Sequence, residues 1–180
     1  MPLKCSVFIA SSLDGYIARP DGGIDWLAGA AEKNEDYGYH NFFNSIDCLV
    51  IGRKTYETAL TFDTWPYSGK KVFVLTGNLK SVSNSLTHNV RSVSPPASEV
   101  VEKVTALGCR HAYIDGGKTI QTFLADGCID EMTITTIPIL IGDGIRLFGK
   151  LNGDVKLKHL ETKTYANGFV QTRYAPSQAA

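Results

Sequence analysis

The chain carries no excess of charge of either sign. Lys plus Arg and Asp plus Glu stand at 18 each, for a formal net charge of +0. The basic surplus selected by nucleic acid or by an anionic membrane surface is missing, so neither is expected as a partner. No apolar run approaches the ~18 residues of a membrane span, and the first residues lack the apolar stretch of a signal peptide. Cys5, Cys48, Cys109 and Cys128 are scattered without a CxxC pair, and His40, His88, His111 and His159 stand isolated. Neither a metal site nor a disulfide framework is expected, and reduced, mostly buried thiols in a cytoplasmic protein are. No internal repeat or low-complexity tract divides the 180 residues, a length that suits one domain, 1–180, with a substantial core.

What is present is an alternation of short apolar runs with segments of helical spacing. Strands are expected over residues 4–11, 48–52, 71–76, 90–93, 112–114 and 131–137, and helices over 53–60, 96–107 and 118–125. Asp14-Gly15 and Asp21-Gly22-Gly23 bound a loop that runs through Ile17 and ends at Trp26. Asn34 is placed to cap a helix running through Asp36, Tyr39, Phe42 and Phe43. Residues 155–164 and 169–174 read as a terminal hairpin about Asn167-Gly168. The order predicts a three-layer α/β fold, its central sheet mostly parallel with an antiparallel C-terminal hairpin. Ligands bind such sheets at the carboxyl ends of the strands.

Two strand-to-helix junctions have the chemistry of phosphate sites. In Gly52-Arg53-Lys54-Thr55, a glycine permits close backbone approach, a helix start presents free N–H groups, and two cations and a hydroxyl follow. An ordinary helix start with a solvated basic pair explains the same residues equally well. In Asp115-Gly116-Gly117-Lys118-Thr119, two glycines at a strand end again precede a helix; a tight turn without a ligand is the plain alternative. Neither junction has the GxxxxGK[ST] or GxGxxG spacing. Together they suit one ligand with separated phosphates, a dinucleotide.

The blocks Ser12-Leu13-Asp14-Gly15-Tyr16-Ile17-Ala18, Val50-Ile51-Gly52-Arg53-Lys54-Thr55-Tyr56-Glu57 and Asp115-Gly116-Gly117 follow one another along the chain. Asp130-Glu131 to Pro138, Gly142-Asp143-Gly144 and Leu147-Phe148 come after them. In this order they resemble the dihydrofolate reductase superfamily, and more narrowly the reductase domain of riboflavin biosynthesis, the C-terminal part of a bifunctional deaminase-reductase. The resemblance implies NADPH as cofactor. Ala10 and Ile17 would contact the nicotinamide. Gly52, Arg53, Lys54 and Thr55 would hold phosphates, with Arg53 near the 2′-phosphate. Leu75 and Thr76 would lie along the adenosine half, and Gly116, Gly117, Lys118, Thr119 and Ile120 at the pyrophosphate. It further implies hydride transfer to a small heterocyclic or carbonyl substrate. Dihydrofolate and 5-amino-6-(5-phosphoribosylamino)uracil reduction are the two named possibilities, and a homodimer is expected. Asp36 is the position closest to the substrate-binding acid of dihydrofolate reductases, although an acid near a helix start also has a plain structural role. Trp26, Tyr39 and Phe43 are candidates to line the substrate cleft. The deaminase signatures H-x-E and PCxxC are absent. The competing reading is an NADP(H)-binding module or sensor without turnover.

Overall fold

The computed structural model describes residues 2–28, 30, 32, 35–76, 90–93 and 96–177; Asn34 and His88 lie outside them. In chain order the elements are β1 (Lys4–Ser12), β2 (Tyr16–Ala18), α1 (Asp25–Ala28), α2 (Tyr39–Ser45), β3 (Cys48–Gly52), α3 (Arg53–Ala59), β4 (Lys71–Leu75) and β5 (Val90–Val93). Then follow α4 (Ala97–Ala106), β6 (His111–Asp115), α5 (Gly117–Ala125), β7 (Glu131–Ile137), β8 (Ile145–Arg146), β9 (Leu157–Thr164) and β10 (Val170–Pro176).

Eight strands form one sheet in the order β5-β4-β3-β6-β1-β7-β10-β9. Pairing is parallel from β5 to β7 and antiparallel across β7, β10 and β9. The expected mixed α/β architecture with an antiparallel C-terminal edge is what is observed. Side chains alternate between the two faces, as period-2 geometry requires. Cys48, Val50, Phe73, Ala112 and Ile114 pack beneath α4 and α5, against Val100, Val104, Ile120 and Phe123. Leu49, Ile51, Val72, Val74 and Tyr113 pack on the opposite face against Tyr56 and Ala59 of α3 and Phe42 and Phe43 of α2. Both faces are covered, which is why these strands read as unbroken apolar runs.

Three expectations are corrected. The helix expected through Asp36 begins only at Tyr39, because Tyr37 (φ 54°) and Gly38 (φ 81°) are left-handed and interrupt a helix at those two positions. The stretch Tyr16-Ile17-Ala18 is no free loop but a strand, paired antiparallel with β8. Trp26 sits in the single helical turn of α1.

The chain runs outward from β1 through β3, β4 and β5, then returns to lay β6 between β3 and β1 before continuing to β7. The two directions of winding therefore meet at β6 and β1. This is the switch point where an open α/β sheet offers a crevice at its carboxyl end.

Candidate active site

Because β6 is inserted beside β3, the two glycine junctions lie next to each other. A Cβ on Gly116 would stand 2.5 Å from Thr55 Oγ1, and one on Gly52 would stand 3.1 Å from Thr119 Oγ1. Each glycine thus faces the first-turn hydroxyl of the other junction's helix. Gly116 has φ 93° and ψ 136°, a conformation essentially reserved for glycine. The two expected phosphate sites are therefore one cradle rather than two separated ones. Helix α3, at 7 residues, is under two turns, so its contribution comes from Thr55 and the exposed Arg53 and Lys54 more than from a summed dipole. Helix α5 is longer at 9 residues, and its first N–H groups, from Gly117, Lys118 and Thr119, are not needed within the helix. Ile120 behaves differently from the expectation. Its N–H is already donated to Gly116 O at 2.9 Å, and its side chain is wholly buried in the core. Leu75 ends β4, level with Gly52 in the β3–β4 register, and Thr76 follows it.

On the other side of β6 the sheet opens. The β1–β6 ladder ends at Ser6↔Tyr113, whereas β1 continues alongside β7 to Ser12↔Ile137. Beyond Ser6 the edge of β1 that faces β6 has no ladder, and Phe8, Ile9 and Ala10 are partly exposed although they sit in a central strand. Tyr113 donates its hydroxyl to Phe8 O at 2.7 Å, so the backbone polar groups of Phe8 point into this gap. Alternate residues of a strand present these groups to the same edge, and Ala10 therefore does too.

Asp115, the last residue of β6, closes the near side of the gap. Burial pushes its carboxyl up to about 6, against the opposing pull of hydrogen bonds from Gly116 N–H and the Tyr113 side chain. Tyr39 and Tyr67 also face this carboxyl. Burial first, and then its charge, raise both phenols, Tyr39 to about 12. Sequence reasoning took Asp115 for a turn residue and missed it as an acid.

Of the residues expected in a substrate cleft, Tyr39 stacks edge-on to Phe8 with centroids 5.7 Å apart. Trp26 packs in a cluster with Ala10, Ile137 and Phe169. The two flank the open edge of β1 from opposite sides. Trp26 is 5% exposed, yet its indole N–H finds no acceptor among the described residues. Phe43 is instead part of the core under α2, with Lys70 Nζ 5.2 Å above its ring. Beside Trp26, Thr135 (paired with Ala10) and Gln171 form a buried polar pair; Gln171 Nε2 donates to Thr135 Oγ1 at 2.9 Å and to Tyr37 O at 3.0 Å. No sequence pattern marked either.

Asp36 is not an available acid. Its oxygens accept the backbone N–H groups of Gly38 and His40, each at 2.9 Å. These bonds hold the exposed carboxyl below its usual range, so near neutral pH it caps α2 as an anion and has no proton to give.

A family model described as the RibD C-terminal domain matches residues 4–171. The uncharacterized protein YwjB of Bacillus subtilis (strain 168) is 34% identical over 176 residues, which is 97% of this chain and 98% of that protein. The crystal structure of a putative riboflavin biosynthesis protein from Shewanella sp. PV-4 superposes with a TM-score of 0.90 at 39% identity, covering 98% of this chain and 100% of that one. A dihydrofolate reductase from Enterococcus faecalis, solved with NADP(H), shares the fold at a TM-score of 0.64 and 14% identity, over 99% of this chain and 100% of that one.

Proposed function

This chain belongs to the RibD C-terminal domain family, and on that premise we propose that it is an NADPH-dependent reductase of a small heterocyclic or carbonyl substrate. The observation that carries the reading is the insertion of β6 between β3 and β1. One strand end thereby joins a glycine-lined cradle at two helix starts to an unpaired stretch of β1.

Bound NADPH would supply the hydride. The chain's own groups would place it. The first N–H groups of α5, with the hydroxyls of Thr55 and Thr119, suit a pyrophosphate in the cradle shaped by Gly52, Gly116 and Gly117. Arg53, Lys54 and Lys118 are exposed cations around it. A guanidinium at a 2′-phosphate is the physical reason to prefer NADPH to NADH. Leu75 and Thr76 border the path to the adenosine half. The free backbone groups of Ala10 match the donor and acceptor of a carboxamide, and Ile17 gives an apolar contact for a flat ring. The proton for the reduced C=O or C=N is assigned to Asp115, whose raised pKa suits an acid working near neutrality. Trp26 and Tyr39 flank the space left for the substrate.

Titration of NADPH against the protein, followed by its fluorescence, tests the reading; no binding at micromolar cofactor would overturn it. Arg53→Ala should weaken NADPH by about tenfold or more, the loss expected for a charge-assisted pair, and leave NADH nearly unchanged. Equal losses refute the 2′-phosphate assignment. Exposed Phe148, Leu157, Leu160 and Val170, on and near the β9 edge, support a homodimer through the late strands; a monomer in sedimentation velocity at micromolar protein refutes that.

A further inference from the structure

The segment carrying Ile17 is a ribbon too small to hold itself. Strand β2 has three residues and β8 has two, and their register shifts between Tyr16 and Ala18. Two-stranded ribbons even of greater length are marginal alone in water. Yet this one lies closely over the start of α5. A Cβ on Gly117 would meet Ile145 Cγ2 at 3.0 Å and Ile17 Cδ1 at 3.1 Å. Something outside the ribbon fixes it there.

On the β8 side the fastening is Arg146. Its carbonyl accepts Gln121 Nε2 of α5 at 2.8 Å, and its guanidinium lies over the Tyr16 ring and donates to the Tyr16 hydroxyl at 3.0 Å. On the β2 side the backbone ties Leu13 N–H to Ile139 O at 2.9 Å and Leu147 N–H to Gly15 O at 3.0 Å, and Asp14 adds the side-chain fastening. Three donors converge on its two oxygens: Ser12 Oγ at 2.5 Å and Ile141 N–H at 3.3 Å on Oδ1, and Gly142 N–H at 2.8 Å on Oδ2. Ser12 Oγ in turn accepts Tyr16 N–H at 3.0 Å, so the chain of contacts runs from the loop before β8, through Asp14 and Ser12, into the first residue of β2. The Ser12 hydroxyl, followed by the two backbone N–H groups, holds the carboxyl ionised, below its usual range. Gly144 abuts the Ala18 carbonyl with no room for a side chain, so the loop before β8 is seated against the end of β2.

We propose that Asp14 is a positioning residue: its carboxylate staples the turn before β2 to the loop at Ile141-Gly142 and thereby holds Ile17 over Gly117, against the nicotinamide half of the cofactor. This rests on the NADPH reading above. The chemistry requires a carboxylate in particular. An amide has one acceptor oxygen, and its NH2 would face either the Ile141 N–H or the Gly142 N–H, donor against donor. The contacts of Asp14 are to Ser12, Ile141 and Gly142, so it acts through the ribbon that carries Ile17, and the nicotinamide end of a ligand is the part that feels it.

The test uses wild type, Asp14→Asn, Ile17→Ala and the double variant, titrated with NADPH and separately with adenosine 2′,5′-bisphosphate, which has no nicotinamide. Asp14→Asn should weaken NADPH by about tenfold, the consequence of losing one charged hydrogen bond, and leave the bisphosphate unchanged. The double variant should bind NADPH no worse than Ile17→Ala, since two residues acting through one contact are not additive. Equal weakening of both ligands, or additive losses in the double variant, overturns the proposal, as does an Asp14→Asn protein that binds NADPH like wild type. Wild type that fails to bind NADPH overturns the cofactor reading, and this proposal with it.

Discussion

Replacing Gly116 by alanine probes the cradle at its tightest point. Two separate penalties apply. The backbone stands at φ 93° and ψ 136°, and holding an L-residue in such a region costs about 1–3 kcal/mol. The new methyl would also stand 2.5 Å from Thr55 Oγ1. Thr55 is β-branched and in the first turn of α3, so it has little rotamer freedom with which to yield, and overpacking of this kind costs roughly 1–3 kcal/mol more. A loss of about 3 kcal/mol in a protein of this size lowers the melting temperature by roughly 6–12 °C. The two penalties separate in a Thr55→Ala background. There the overlap is gone, Thr55 Cβ is at an ordinary 3.7 Å, and only the backbone penalty remains. Differential scanning calorimetry of the four proteins measures both. A Gly116→Ala melting point within about 2 °C of wild type, or an identical loss in both backgrounds, would refute the geometry from which the cradle is built.

Two further predictions concern pH. Asp115 has a folded pKa raised to about 6, so the folded state binds the extra proton. The stability it contributes is complete below the ordinary carboxyl value near ~4 and is lost as the pH rises to about 6. Asp115→Asn should therefore raise the melting temperature more at pH ~8 than at pH ~4.5; destabilisation at the higher pH would contradict the assignment. His111 shifts the other way. Its Nδ1–H donates to Ser45 O at 3.1 Å, leaving Nε2 to accept the Ser6 hydroxyl at 2.8 Å, and burial is the main cause of its lowered pKa. Its contribution is full above about 6.5 and is lost as the pH falls below that value. In urea unfolding, the stability gap between wild type and His111→Gln should shrink between pH ~7.5 and ~5.5, and a constant gap would refute the buried neutral ring.

The strands were legible because burial on both faces writes itself as apolar runs such as Cys48-Leu49-Val50-Ile51 and Lys71-Val72-Phe73-Val74-Leu75. Both glycine junctions were legible too, since glycine before a basic or hydroxyl-bearing helix start is a local signal. Their adjacency was not. It follows from β6 threading between β3 and β1, and strand order is a long-range property with no periodicity of its own. The β2–β8 ribbon escaped for a similar reason: Tyr16 and Arg146 are 130 residues apart, and three residues are too few to show an alternation. Asp36 misled because its role hangs on the left-handed pair Tyr37-Gly38. With a helix running through it, the carboxylate would face outward; with the helix starting after it, the carboxylate folds back as a cap. Asp115 looked like half of a turn, and the phenols that face it, Tyr39 and Tyr67, come from distant segments.

A module that merely stored a dinucleotide would need the glycine cradle, Arg53 and the open edge of β1. It would have no use for Asp115, whose elevated pKa means that ionising it at neutral pH weakens the fold. Nor would it need the buried Trp26 indole N–H, which lacks an acceptor among the described residues although such groups are nearly always satisfied. Both features border the same few residues of β1: Asp115 beside Phe8 through Tyr113, and Trp26 beside Ala10. Proteins retain destabilising polar groups where chemistry requires them and remove them elsewhere. Two such groups, one on each side of the strand edge where a nicotinamide would lie, favour turnover over storage. On the reading proposed above, the reacting atoms of the substrate would lie between Asp115 and Trp26 rather than at Asp36.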